Sequence, residues 1–167
     1  MNLEGYTMSI GANNSKKIYA EICNYFDKNK LSYKKFDEDL TVSCTIKGDD
    51  IPMDCVLMVR EKNQLVSLIS PLPFKIPENK RVDAAVAVST ANYGLINGTF
   101  DYDISDGEIR FRLVVPFHDM DGLSDEIYTY MLAVSVNTID NYNDRFMMLG
   151  KGLISLEQFI NAENSNG

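Results

Sequence analysis

Residues 97–117 read "NGTFDYDISDGEIRFRLVVPF" and decide the fold, because they predict a β-hairpin. Alternating runs flank Asp106-Gly107, a dipeptide that favours a two-residue type I′ turn, in which both central residues need positive φ. Ser105 then faces Glu108, and the pairs continue outward as Ile104 with Ile109, Tyr102 with Phe111, Phe100 with Leu113, Asp103 with Arg110, and Asp101 with Arg112. Apolar pairs occupy one face and charged pairs the other, so we expect a half-buried hairpin with a solvated outer face.

The remaining sequence predicts helices and further antiparallel strands around this hairpin. Apolar residues recur at helical spacing in three segments, and period-two alternation or short apolar runs mark the strands. In chain order the predicted elements are a helix over 14–30, a short strand at 33–36, strands over 40–47, 53–61 and 64–72, a helix over 78–97, the hairpin, and a helix over 124–146. Strands in antiparallel groups separated by helices define an α+β fold of order α-β-β-β(-β)-α-β-β-α.

Two elements carry further detail. On the strand over 53–61, Leu57 lies on one side of the sheet while Val56 and Met58 lie on the other. A sheet that is apolar on both sides must be covered twice, by helices or by another subunit. On the second helix, Val82, Ala85, Val86 and Tyr93 share one side, and its small residues allow close packing against a sheet. A capping box from Ser155 to Gln158 predicts a last short helical turn.

Length and composition favour one domain over residues 14–161, after a loose lead-in at 1–13 and before a frayed tail at 162–167. We expect a cytoplasmic protein that does not engage a membrane, because no segment resembles a spanning helix or a secretion signal. The net charge of −8 argues against nucleic acid as a partner. Three cysteines within apolar patterns indicate core residues and neither a disulfide framework nor a metal site.

No residue pattern supports catalysis, a metal site or a cofactor. His118 is the one histidine and precedes Asp119 and Asp121, but no nucleophile or second ligand accompanies it in a local motif. The acids around Asp106-Gly107 differ from a calcium loop, because Arg112 stands where that loop needs a bidentate glutamate. We therefore expect a protein that is not an enzyme.

The stretch "NKRVDAAVAVSTANYGLINGTFDYDISDGEIRFRLVVPF", residues 79–117, resembles the YbjN domain of bacteria, a family described as a regulator of sensory transduction. In that family a helix with asparagine near its end runs into G-x-F-x-hydrophobic-D and then D-G-x-hydrophobic-x-F/Y-R. The matching residues are Asn92, Asn97, Gly98, Phe100, Asp103, Asp106, Gly107, Phe111 and Arg112. The resemblance implies a fold similar to type III secretion chaperones over about residues 15–150, and a small, often self-associating binding module with no known reaction.

Two functional hypotheses follow. The first is a non-enzymatic interaction module that binds a protein or peptide and forms a homodimer. Its proposed contact surface is an apolar sheet face made of Val56, Met58, Val66, Leu68, Val114 and Val115. The alternative is a small-molecule sensor, whose pocket would lie between the second helix and the hairpin over 99–115. Tyr93, Asn97 and Tyr102 would line that pocket.

Overall fold

The computed structural model describes residues 12–118 and 120–164. Most of the predicted lead-in at 1–13 and the last three residues of the predicted tail lie outside these residues. The helices and strands are α1 (Ala12–Lys28), β1 (Lys34–Phe36), β2 (Thr41–Lys47), β3 (Pro52–Arg60), β4 (Leu65–Lys75), α2 (Arg81–Tyr93), β5 (Thr99–Asp103), β6 (Glu108–Pro116), α3 (Asp125–Gly150) and α4 (Leu156–Asn164). The predicted α+β class and element order are confirmed, with the short strand present as β1.

The last helix begins at the predicted capping box. The Ser155 amide donates to Oε1 of Gln158 at 2.8 Å, and the Gln158 amide donates to Oγ of Ser155 at 3.1 Å. These two reciprocal bonds satisfy amides that the first helical turn would leave without partners. Phe159 of α4 is fully buried and its ring lies 5.4 Å from that of Phe146 on α3. The box therefore starts a helix that joins the core, rather than a short terminal turn.

All six strands form one antiparallel sheet in the order β1-β2-β3-β4-β6-β5. A row of opposed side chains, Val42, Leu57, Leu68 and Leu113, crosses the four central strands, and all four are fully buried. Buried side chains from every helix join this row in one cluster. We call this side of the sheet the core face and the opposite side the outer face.

The hairpin is present, but its predicted type I′ turn is wrong. The loop has four residues, 104–107, and in this fully described loop only Gly107 has a positive φ, of 83°. Phe100 consequently faces Phe111, and Tyr102 faces Ile109, which is a shift of two residues from the predicted pairing. Because side chains alternate with period two, a shift of two leaves each residue on its predicted face.

The four-residue loop is held by its own acids. The Gly107 amide donates to the Asp103 carbonyl at 2.8 Å, and the Asp103 carboxylate accepts from the Ser105 amide at 2.8 Å. The Asp106 carboxylate accepts from the Glu108 amide at 2.9 Å. Aspartate side chains that bond to an amide two residues ahead compete with the tighter turn. The Asp-Gly signal therefore located the turn correctly but gave it the wrong length.

Gly98 lies in the turn between α2 and β5 and packs against the hairpin. Its φ is 80°, and a Cβ placed on it would lie 2.1 Å from Cζ of Phe111. The Phe111 ring thus packs on the glycine backbone and contacts the Phe100 ring edge-on, with centroids 5.4 Å apart. Both conformation and space exclude any larger residue at this position.

We expect Gly98→Ala to lower the free energy of unfolding by about 3 kcal/mol, because it adds backbone strain at positive φ and displaces the Phe111 ring. Gly94→Ala is the matched control, since Gly94 has a negative φ and its Cβ would approach nothing closer than 3.8 Å. Urea denaturation monitored by circular dichroism measures both variants. Equal stability of the two variants would contradict the packing described for Gly98.

Candidate protein-binding surfaces

The outer face of the sheet carries apolar side chains in its central strands. Val56 stands opposite Ile69, and Met58 shares its row with Val114, while Leu65 lies on the same face of β4. These five residues are half-buried or exposed, and Val114 keeps 38% of its accessible area. We call them the apolar zone. Among the described residues, the buried apolar side chains of the helices all belong to the core-face cluster, and that cluster contains none of the five residues of the apolar zone.

Three of the six residues predicted for this surface lie elsewhere. Val66 and Leu68 are fully buried on the core face, and Val115 stands opposite Val66 on that same face. The sequence of β4 places apolar or small residues on both faces, so composition alone does not indicate which set points outward. Its cross-strand register does, because Leu68 pairs with the buried Leu57. The same register identifies Leu65 and Ile69 as outer residues that the sequence reasoning missed.

A charge cluster borders the apolar zone on β5 and β6. The Asp101 carboxylate accepts two bonds from Arg112, at 2.8 Å from Nε and 2.9 Å from Nη2, and lies 3.4 Å from Nε of Arg110. The hydrogen bond from Arg112 holds the pKa of Asp101 below its usual range. Both arginines therefore converge on one acid, whereas the predicted pair of Asp103 with Arg110 is replaced by Asp103 opposite Glu108.

A second apolar surface lies on α2, on the side where the sequence groups Val82, Val86 and Tyr93. Val82 and Tyr93 are 72% and 96% exposed, and Val86 and Ser89 between them are also exposed. We call these four residues the α2 stripe. The side that packs on the core consists of Ala84, Ala87, Val88 and Ala91. Three alanines at helical spacing allow a close approach to neighbouring elements, so the small residues face inward and the larger ones face solvent.

The α2 stripe borders a shallow hollow. This hollow has a volume of about 870 Å³ and is lined by Val86, Ser89 and Tyr93 among others, with Glu163 of α4 at its rim. Ile96, in the turn after the helix, is fully exposed and extends the apolar surface. A helix that presents apolar residues four and seven positions apart to solvent, with a small residue between them, has the pattern of a helix-packing seam.

The three residues predicted to line a small-molecule pocket do not meet. Tyr93 points to solvent at the end of α2, whereas the Tyr102 hydroxyl donates to the Arg81 carbonyl, at the start of the same helix, at 3.1 Å. Asn97 donates to the Tyr130 hydroxyl at 3.0 Å and accepts from the Gly98 amide at 2.9 Å. The junction between α2 and the hairpin is therefore occupied by hydrogen bonds rather than by a common cavity for these three side chains.

Asn92 closes the junction at the edge of the sheet. Its Nδ2 donates to the Phe100 carbonyl at 2.9 Å, and its Oδ1 accepts from the Phe100 amide at 2.7 Å. The side-chain amide thus pairs with the β5 backbone as a neighbouring strand would. Strand addition at this point of the β5 edge is blocked, which directs attention to the sheet face.

Among the described residues, His118 and Asp121 belong to no cluster of metal-ligating side chains. His118 lies half-buried in the turn after β6, Asp121 forms a salt bridge with Lys17 at 2.7 Å, and Asp119 lies outside the described residues. Within residues 12–118 and 120–164, no three side chains of histidine, cysteine, aspartate or glutamate converge as metal ligands. Across those same ranges, no helix has both the length and the apolarity required to cross a membrane.

Solved structures define the class of protein. The chain is similar to the "HopA1-SchA Chaperone-Effector Complex" at a TM-score of 0.53 and 14% identity, covering 81% of this chain and 98% of the other. It is also similar to the crystal structure of YbjN, "a putative transcription regulator from E. coli", at a TM-score of 0.53 and 10% identity, covering 80% and 89% of the two chains. The six-stranded sheet with its helical layer is therefore a secretion-chaperone-like α+β fold.

The family is established by sequence. The family model "Putative bacterial sensory transduction regulator" matches residues 19–148, which is more than three quarters of the chain. The protein belongs to the YbjN family, as the motif in residues 79–117 indicated. No curated protein matches the chain at a significant level.

We expect Asp101→Asn to lower the free energy of unfolding at neutral pH by about 1 kcal/mol, the upper end for partly exposed ion pairs. The folded-state pKa of Asp101 lies below the unfolded value, which is about 4. The ion pair therefore stabilises the fold above that unfolded value, and its contribution is lost as the pH falls through the folded pKa. Urea titrations between neutral and acidic pH measure the difference.

The matched control is Asp144→Asn, at an exposed position of α3. Its stability should follow the wild type at every pH. A difference between Asp101→Asn and the wild type that persisted unchanged at the acidic end would show that the aspartate acts through its shape rather than its charge.

Proposed function

We propose that this YbjN-family chain is a non-enzymatic protein-binding module that receives a protein or peptide on the outer face of its sheet. The observation that carries the proposal is the one-sided covering of the sheet. Within the part of the chain that the structure describes, the helices bury their apolar side chains in a single core-face cluster, which contains none of the five residues of the apolar zone. A contiguous apolar surface on a sheet is characteristic of interaction sites.

The shape of the outer face supports a polypeptide partner rather than a small ligand. The apolar zone spans three strands, β3, β4 and β6, and the charges of Asp101, Arg110 and Arg112 border it. An extended or helical segment with regularly spaced apolar residues suits such a surface. The structural neighbour that is described as a chaperone-effector complex gives a precedent for a protein of this fold holding another polypeptide.

A peptide selection tests this function. Peptides selected from a random library on the wild-type protein should bind Met58→Lys and Val114→Lys at least about tenfold more weakly, because each lysine places a charge within the apolar contact. Ile104→Lys is the matched control, since Ile104 is an exposed apolar residue at the hairpin tip. Isothermal titration calorimetry measures the affinities. Selected peptides that bound both outer-face variants as tightly as the wild type would refute the proposed surface.

We also propose that the chain forms a homodimer through the α2 stripe. Two antiparallel copies of α2 related by a twofold axis would place Val82 against the partner's Tyr93 and Val86 against the partner's Ser89. Each large side chain would thereby meet a complementary position, as an isologous interface requires. The exposure of Val82 and Tyr93 in the single chain supports this arrangement.

Light scattering after size-exclusion chromatography tests the homodimer. The wild type should have twice the chain mass of 18.8 kDa, and Val86→Lys with Tyr93→Lys should have the mass of one chain, because two cations per copy would be buried together. Leu153→Lys is the control, since Leu153 is exposed outside both surfaces. A wild-type monomer at all concentrations would reject the homodimer and leave the peptide-binding function open.

A cytoplasmic location belongs to the same proposal. The three cysteines are free thiols, which fits a compartment that keeps thiols reduced.

A further inference from the structure

Two of the three cysteines face each other across neighbouring strands. Cys44 on β2 stands directly opposite Cys55 on β3, and both side chains lie on the core face as free thiols. Cys23, the third, lies on α1. The proposed binding surfaces do not involve either of these two thiols.

The pair lies within reach of a disulfide bond. Directly opposed residues in an antiparallel ladder have Cα atoms about 4.5–5.5 Å apart, within the roughly 4.4–6.8 Å that disulfides span. Their Cβ atoms are about 4.5–5.5 Å apart, whereas a disulfide needs roughly 3.5–4.5 Å. Closing the bond therefore requires the strands to approach by about 1 Å, and a bond strained in this way is readily reduced.

The hydrogen bond between the two sulfurs shifts the pKa values of the two thiols in opposite directions. A hydrogen bond with Cys55 and then burial raise the pKa of Cys44, while the same hydrogen bond lowers the pKa of Cys55. The Cys55 thiol donates to the Ser70 hydroxyl oxygen on β4 at 3.9 Å, and that hydroxyl donates to the Asp54 carbonyl at 2.7 Å. Cys55 is therefore the thiol of the pair whose pKa is lowered, and a thiolate is the species that oxidants attack.

The strand that flanks the pair ends just before it. β1 pairs with β2 only at residues 41–43, so Cys44 is the first residue of β2 beyond that cover. Cys44 is 6% exposed and Cys55 has no exposed surface. Hydrogen peroxide is small enough to reach such a pair during local opening of the strand end, whereas a bulky disulfide reagent is not.

We propose that Cys44 and Cys55 form a dithiol site that hydrogen peroxide oxidises to a reversible cross-strand disulfide. The Cys55 thiolate attacks one peroxide oxygen, the O–O bond breaks, and Cys55 becomes a sulfenic acid while hydroxide leaves and takes up a proton as water. The Cys44 sulfur then attacks the sulfenic sulfur, its proton leaves with the hydroxyl group as a second water, and the S–S bond forms. Two thiols are oxidised and one peroxide is reduced, and a dithiol reductant reverses the change.

The bond would alter the strands that carry the apolar zone. Val56 follows Cys55 directly and points to the outer face. Drawing β2 and β3 together at this point changes the local twist beneath Val56. The oxidation site itself does not depend on the proposed function, since it rests on the placement of the two thiols alone.

Peptide mapping of the native protein tests the site. After peroxide treatment, free thiols counted by alkylation in denaturant should fall from three to one, and dithiothreitol should restore all three. Trypsin should release Cys44 in residues 36–47 and Cys55 in residues 48–60, so a non-reduced digest should contain these two peptides linked. Persistence of three thiols, or a link that includes Cys23, would overturn the proposal.

Two variants separate this site from general thiol oxidation. Cys23→Ser should still form the linked peptides, with free thiols falling from two to none. Cys44→Ala should form no link, and after peroxide treatment of the folded protein its Cys55 should be trapped as a sulfenic acid adduct by dimedone added together with denaturant. If Cys44→Ala fails to fold, as judged by circular dichroism, the wild-type digest still decides the matter. A link that appears only when peroxide is added in denaturant would refute a site in the folded protein.

Discussion

One constraint governs this molecule: a strand sends neighbouring side chains to opposite sides, and the helices bury their side chains against only one of those sides. The buried row of Val42, Leu57, Leu68 and Leu113 fixes the register of the four central strands, and every helix packs toward it. Val56, Ile69 and their neighbours are placed on the outer face by the same register. The alternation of side chains along each strand therefore produces both the core and the proposed binding surface.

The amino-acid sequence was sufficient to predict those features of the fold that depend on the pattern of neighbouring residues. Element order, the two faces of the hairpin and the Ser155 capping box follow from spacing that neighbouring residues set themselves, and the family motif lay in the same segment. It was insufficient where two sides of an element are similarly apolar. On β4 the choice between Val66 and Ile69 depends on the β3 register, which no single-strand pattern contains.

The second helix shows a different limit. Hydrophobic spacing groups Val82 with Tyr93 on one side of the helix, but the side that packs closely on the core consists of small residues such as Ala87. The hairpin turn shows a third limit, because the Asp103 and Asp106 carboxylates stabilise a longer loop than the Asp-Gly dipeptide favours. In each case a contact between distant residues, or a competing local hydrogen bond, outweighs the simplest reading of the pattern.

Asn92, a residue of the family motif, occupies an edge of the sheet. An open sheet with an apolar outer face is liable to polymerise into fibres, because the unpaired edge strands can form hydrogen bonds with the edge strands of other copies. The side-chain amide of Asn92 caps one edge at Phe100, and the opposite edge ends in β1, a strand of only three residues. The chain can thus expose an apolar sheet face to a partner, while the two edges of the sheet resist strand pairing with further copies.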